Sequence, residues 1–150
     1  MNGPDMGDGI VEFVPQGFDQ TKTPSLILKE EPTAKGSVPS DWELYPQFTV
    51  MDGKANASLG LTGEISLYGG GEVTGPLLRN GQYIKLWNTD TGAYGVDGGK
   101  RLYQSHPWVL GVRRDGSAFG ILFDSSWKSE LHTNSDKIEF NTEGALFRIY

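Results

Sequence analysis

"LYGGGEVTGPLLRNGQYIKLWNTDTGAYG", residues 67–95, packs three consecutive glycines, an isolated glutamate, a Gly-Pro corner and a Trp-Asn-Thr-Asp cluster into one stretch. Glycine and proline at that density break any helical periodicity. The apolar pieces around them, "EISLYG" and "YIKLWN", alternate as strands do. The same grammar extends outward. "FTVMDGKANASLGL" predicts a hairpin about Asp52-Gly53, and "WVLGVR" with "AFGILF" predicts another about Asp115-Gly116. "KIEFNTEGALFRIY" predicts a final hairpin at Thr142-Glu143-Gly144. Residues 10–14, "IVEFV", and 25–30, "SLILKE", read as two further strands, with "EEPTAKGSVPSD" after them as a loop. Strands spaced about ten residues apart, with turns between them and no 3.6-residue apolar stripe, predict an all-β fold: an antiparallel two-sheet β-sandwich.

Length bounds this to one domain. A chain of 150 residues supports a single core. Residues 1–9 are small and polar without periodicity and read as a frayed start, which leaves residues 10–150 as the domain. The last strand runs to Tyr150 with no terminator, as expected of a chain that continues into a further domain.

A formal net charge of −6 argues against a nucleic-acid partner, whose phosphates are met by clustered Lys and Arg. With no cysteine, disulfides and thiolate chemistry are out, and two histidines, His106 and His132, would need carboxylates to complete a metal site. Neither a metal nor another cofactor is expected. No apolar run approaches the roughly 20 residues that cross a bilayer, so no membrane partner is expected either. Met1-Asn2-Gly3-Pro4 lacks the basic start and apolar core of a secretion signal. That fits a cytoplasmic chain, or a periplasmic or secreted one whose signal has been removed.

Four kinds of chemistry compete for the opening stretch. A phosphate cradle needs a glycine loop opening a helix and a lysine, whereas "GGGEVTG" carries Glu72 and leads into Pro76. A calcium loop starting at Asn88 would want Gly at its sixth position and Glu at its twelfth; Ala93 and Gly99 stand there. Asp90-Thr91-Gly92-Ala93 is the tetrapeptide of retropepsin-like aspartic proteases, but that aspartate should end a buried apolar strand, and Asn88 and Thr89 are polar. Carbohydrate binding uses the residue types present: Asp90 and Asn88 can bond hydroxyls, and Trp87 and Tyr94 can stack on apolar sugar faces. The plain alternative makes Trp87 core, Asn88 and Asp90 turn formers, and Tyr94 a half-buried plug.

The order of motifs carries more than any one of them. Tyr68-Gly69-Gly70-Gly71-Glu72 is followed by Gly75-Pro76-Leu77 with Arg79 and Gly81, and then by Trp87-Asn88-Thr89-Asp90 with Tyr94. Leu102 to Trp108, "LYQSHPW", comes next, then Gly116 to Gly120 and "ILFDSS". This string resembles the N-terminal, galactose mutarotase-like β-sandwich of glycoside hydrolase family 31, which includes α-glucosidases and α-xylosidases.

The resemblance implies a domain that precedes a catalytic (β/α)₈ barrel and sends a loop over its mouth. By the same likeness Asp90 matches a loop aspartate that bonds the sugar near the leaving-group subsite, with Asn88, Thr89 and Tyr94 shaping the loop. Glu72 and Arg79 match positions that hold the glycine turn and hairpin together. Trp108 stands where the family more often has Phe, and the third glycine of "GGG" and the segment "GVDGGKR" are departures.

The family's retaining mechanism needs two carboxyl groups about 5 Å apart. Both belong to the barrel, and the Trp-x-Asp-Met-Asn-Glu string of the nucleophile is absent here. No catalytic residue is therefore expected in this chain. The implied partner is an α-glucoside or α-xyloside held jointly with a catalytic barrel. A stand-alone carbohydrate-binding module is the alternative, and a retropepsin-like protease a remote one. A sugar epimerase would need paired histidines and an acidic base in one cleft, and His106 and His132 have no evident common site.

Overall fold

The computed structural model describes residues 9–26, 42–94 and 97–150. Among the described residues nine strands form two antiparallel sheets: β1 (Pro46–Met51), β2 (Lys54–Gly60), β3 (Ile65–Gly71), β4 (Gln82–Leu86), β5 (Ser105–Arg113), β6 (Ala118–Asp124), β7 (Ser129–Thr133), β8 (Lys137–Thr142) and β9 (Arg148–Ile149). One sheet has the order β1-β2-β8-β7-β4 and the other β3-β5-β6-β9. The helical content among the described residues is a short 3₁₀ turn, Gly92–Tyr94, so none there is long and apolar enough to cross a membrane.

Period-two alternation builds the core. In β8, Ile138, Phe140 and Thr142 point inward between half-buried Lys137, Glu139 and Asn141. Phe140 stacks on Phe123 of the opposite sheet, centroids 4.6 Å apart and planes 2° from parallel. Phe147 meets Phe140 edge-on at 5.0 Å. Such contacts bury large apolar area and add aromatic geometry to it.

The two glycine-marked hairpins form as expected. Met51 pairs with Lys54 around Asp52 and Gly53, which both take positive φ (51° and 77°), the type I′ geometry that matches strand twist. Val112 pairs with Ala118 around the Asp115-Gly116 turn.

Three local expectations need correction. Thr142-Glu143-Gly144 does not close a hairpin: β9 leaves the sheet of β8 and pairs with β6 in the other. Phe147 accompanies the crossing: its ring is fully buried against Phe123 of one sheet and Phe140 of the other. Residues 10–14 form no regular strand. Phe13 makes a single bridge to Ile149, and Glu12 is buried beside Val11 and Phe13 because its carboxylate meets Arg148 and Tyr150. Strand β7 is additional to those expected, and it forms the hairpin with β8. The strand expected at 25–30 lies outside the described residues except for Ser25 and Leu26, as do the loop at 30–41 and most of the start at 1–9.

The chain ends are joined by charge. Arg148 lies 3.4 Å from Glu12 and 3.4 Å from Asp124, both buried. Asp124 also accepts from the Ser25 hydroxyl (2.7 Å) and the Leu26 amide (2.6 Å). The N-terminal segment is thereby fastened to β6 and β9.

The glycine run forms the seam between β3 and its neighbours. Gly69, Gly70 and Gly71 all have positive φ, and the β3–β5 register shifts between Gly69 and Gly71, a β-bulge. A Cβ on Gly71 would stand 2.4 Å from the Gln104 carbonyl oxygen and 2.8 Å from the His106 nitrogen. Backbone cannot yield there. A Cβ on Gly116, also at positive φ, would meet nothing within 4 Å. Gly116→Ala should therefore cost only the left-handed backbone penalty, about 1–2 kcal/mol, and Gly71→Ala that penalty plus the clash, more than about 3 kcal/mol. Urea denaturation of both variants checks the order; equal losses would contradict the close approach.

Candidate functional site

Residues 87–104 connect β4 to β5. β4 ends the five-stranded sheet, and β5 lies beside β3, which ends the other. The loop therefore leaves from the rim of the sandwich. Its neck is closed by the Thr89 amide donating to the Leu102 carbonyl at 2.8 Å, with Leu102 buried beneath. Its far side is tied to residues 72–81: the Thr74 amide donates to Gly99 O (3.0 Å) and the Thr74 hydroxyl to Gly98 O (2.6 Å). Arg101 and Asp97 form an ion pair at 2.6 Å, which holds the Asp97 carboxyl below its usual range.

Glu72 connects the glycine bulge to this loop. Its amide donates to Gln104 O at 2.8 Å, and its carboxylate accepts the Tyr103 amide at 3.2 Å. Arg79 is buried, with Nε donating to Gly69 O (3.2 Å) and a terminal nitrogen to Pro76 O (2.7 Å). The Asn80 side chain accepts the Leu67 amide and donates to the Ile65 carbonyl, both at 2.8 Å. Residues 79 and 80 thus occupy the open edge of β3 as a neighbouring strand would, which protects it from foreign pairing.

Within this frame Asp90 is exposed and Thr91 buried. That is the reverse of an aspartate sunk at the end of an apolar strand. Asp90 lies near the Tyr103 hydroxyl, and its carboxylate, through hydrogen-bonding tendency first and negative charge second, raises the Tyr103 pKa above its ordinary value. Glu72 and Tyr94 act in the same direction. Tyr94 takes a left-handed φ of 59° and stays 57% exposed, beside Gly99. Asp90, Tyr94, Tyr103 and Glu72 so form one patch of carboxylate and aromatic groups on the rim.

The other expected residues lie elsewhere. Trp87 and Asn88 line a separate cleft, and Thr89 serves the loop itself, its hydroxyl donating to Trp87 O at 3.0 Å. Tyr103 and Asn80 were not expected as participants; Asn80-Gly81 is a turn signal, and nothing in the sequence near Tyr103 shows that the returning chain brings it to Asp90. His106 lies in β5 and His132 in β7, on different sheets, with His132 packed on Tyr83 at 4.7 Å. Among the described residues no group of three or more His, Cys, Asp and Glu is placed to hold a metal ion.

The patch offers hydrogen-bond acceptors and ring faces, the means of gripping a polyhydroxylated neutral molecule. Because Tyr103's pKa is raised in the folded state, its contact with Asp90 is intact below the ordinary tyrosine pKa of about 10 and is lost as pH rises through the folded value. Phenolate absorbance titration, with Tyr103→Phe identifying the residue by difference, should show Tyr103 ionising above the ordinary range. Asp90→Asn should return it toward about 10. An unchanged titration in Asp90→Asn would place Tyr103 away from Asp90.

Comparison with known proteins agrees with this architecture. Residues 17–131 match the family model described as the glycosyl hydrolase 31 N-terminal galactose mutarotase-like domain. Alpha-glucosidase 2 of Bacillus thermoamyloliquefaciens is 33% identical over 121 residues, 73% of this chain and 15% of that protein. Alpha-xylosidase XylQ of Lactiplantibacillus pentosus is 29% identical over 128 residues, 79% of this chain and 16% of its own length. Among solved structures, a family 31 alpha-glucosidase from Bacteroides thetaiotaomicron shares 66% sequence identity, with a TM-score of 0.60 over 68% of this chain and 17% of that one. The chain therefore spans about a sixth of the length of these relatives. With its sandwich, its glycine bulge and its rim loop, it belongs to the N-terminal galactose mutarotase-like domains of glycosyl hydrolase family 31.

Proposed function

We propose that this sandwich is the non-catalytic N-terminal domain, residues 10–150, of a longer retaining α-glycosidase, and that its 87–104 loop brings Asp90 to the sugar at the mouth of a catalytic barrel. One observation carries the proposal: Asp90 is exposed on a loop whose neck and flank are pinned by backbone hydrogen bonds to Leu102, Thr74 and the glycine bulge. A displayed carboxylate that is held still loses little entropy on gripping a ligand. The substrate class is an α-glucoside or α-xyloside, in keeping with relatives named alpha-glucosidase and alpha-xylosidase.

Each residue has a bounded part in this. Asp90 accepts a sugar hydroxyl, and the Tyr94 and Tyr103 rings wall the approach. Glu72 and Arg79 hold the bulge that fixes the loop. Bond cleavage by the retaining route needs a nucleophile and an acid/base carboxyl on opposite sides of the scissile bond. Asp90 stands exposed on the rim loop near Tyr103, and its contribution is to position substrate.

In the longer enzyme Asp90→Ala should lower kcat/KM about 10- to 100-fold, the worth of a hydrogen bond to a charged group, with turnover retained. Steady-state kinetics on isomaltose and maltose measure this; complete loss of turnover with the fold intact would make Asp90 a catalytic residue. The isolated chain should hydrolyse neither disaccharide. Calorimetry should give no micromolar dissociation constant, because one wall of a pocket supplies few contacts. A micromolar constant would favour a stand-alone binding module.

A further inference from the structure

A cleft of about 360 Å³, which shares no described lining residue with the Asp90 patch, lies between Trp87 and Trp127, each 48% exposed. The sheet register creates it. Leu86 of β4 pairs with Ser129 of β7, so the residue after one strand and the residue two before the other stand side by side at the same end of the sheet. Asn88, Ser105, Ser125 and Ser126 also line the cleft. None of its ten described lining residues carries a charge.

Trp127 is fixed in place. Its indole nitrogen donates to Lys22 O at 3.2 Å, and its ring lies against Gly144, where an added Cβ would come within 2.3 Å of it. Its amide donates to the Ser125 hydroxyl oxygen at 3.4 Å, and its carbonyl accepts the Ser129 hydroxyl at 2.6 Å. A half-exposed ring held by Lys22 and Gly144, on a backbone held by Ser125 and Ser129, is a preformed stacking surface and needs little ordering on binding.

A ligand suited to this cleft must be neutral, must offer apolar faces to indole rings and must offer hydroxyls to serines and an amide. Pyranose rings meet all three demands. Charged ligands would find no counter-charge among the described lining residues, and a purely apolar ligand would strand the polar lining. The volume is at the low end for ligand pockets, enough for one or two sugar units.

We infer that the Trp87–Trp127 cleft is a second carbohydrate-binding site, separate from the Asp90 patch, which holds a neutral mono- or disaccharide unit of a longer glucan. The ligand class rests on the proposed function, but the site itself uses neither Asp90 nor a catalytic barrel. Binding should be weak, with a dissociation constant of about 1–10 mM.

The test is a titration of the 150-residue chain with isomaltose and with maltose, following tryptophan fluorescence and the indole N–H resonances of Trp87 and Trp127. A saturable millimolar change at both indoles is expected. It should disappear in Trp127→Ala and in Ser126→Arg, which places a long charged side chain at an exposed position of the cleft and leaves the core alone. It should persist in Asp90→Ala, which separates this site from the rim patch. No saturable change at tens of millimolar sugar, or a change that survives Ser126→Arg in a folded variant, would overturn the inference. Loss of the change in Asp90→Ala alone would return the sugar to the rim patch and refute a second site.

Discussion

The approach of the glycine run to β5 is the constraint on which the rest of the structure depends. At Gly69 an added Cβ would lie 2.3 Å from the Trp108 carbonyl oxygen, at Gly71 it would meet Gln104 O, and at Gly70 it would press on Ile84. Three positive φ values in succession bend β3 so that one short segment touches β5 along its length and β4 across the sandwich. The amide of Glu72 then reaches Gln104, and its carboxylate reaches the amide of Tyr103, where the rim loop returns. The placement of Tyr103, and through it of the Asp90 patch, is inherited from a run of residues with no side chains.

Two further devices keep that seam closed. Arg79 and Asn80 satisfy the outer edge of β3, and Gly81 donates to Thr133 of the other sheet, so three consecutive residues join both layers. Beyond them the Phe123, Phe140 and Phe147 cluster fills the interior, and Arg148 draws buried Glu12 and Asp124 together where the chain ends meet. A cation between two buried carboxylates is costly to dismantle, since removing it would leave like charges facing each other out of water. The rim loop can carry exposed carboxylates and tyrosines because stability is supplied elsewhere.

Much of the sandwich is legible in the sequence, and the exceptions are instructive. The Asp52-Gly53 and Asp115-Gly116 hairpins are local, so residue types that tolerate positive φ announce them. Strand β7 hides because two of its three inward positions, Ser129 and Thr133, are hydroxyl residues, which weakens the apolar alternation. The partner of β9 is also hidden. Thr142-Glu143-Gly144 marks a change of direction, but whether the chain reverses in its sheet or crosses to the other is a matter of long-range contacts such as those of buried Phe147. At the site, the residue types of 87–94 declare sugar-compatible chemistry. Their division between two places, with Asp90 and Tyr94 beside Tyr103 and Trp87 beside Trp127, follows from the loop's return path and the β4–β7 register, which are contacts distant in sequence.

The proposed role makes the rim loop useful only against a second body, and the geometry of that meeting is open to direct measurement. A crystal structure of the longer enzyme with isomaltose bound tests it. The account predicts an Asp90 carboxylate oxygen within about 3 Å of a sugar hydroxyl, with the loop neck at Thr89 and Leu102 unchanged. Residues 87–104 turned away from the bound sugar, with Asp90 contacting only solvent, would contradict it.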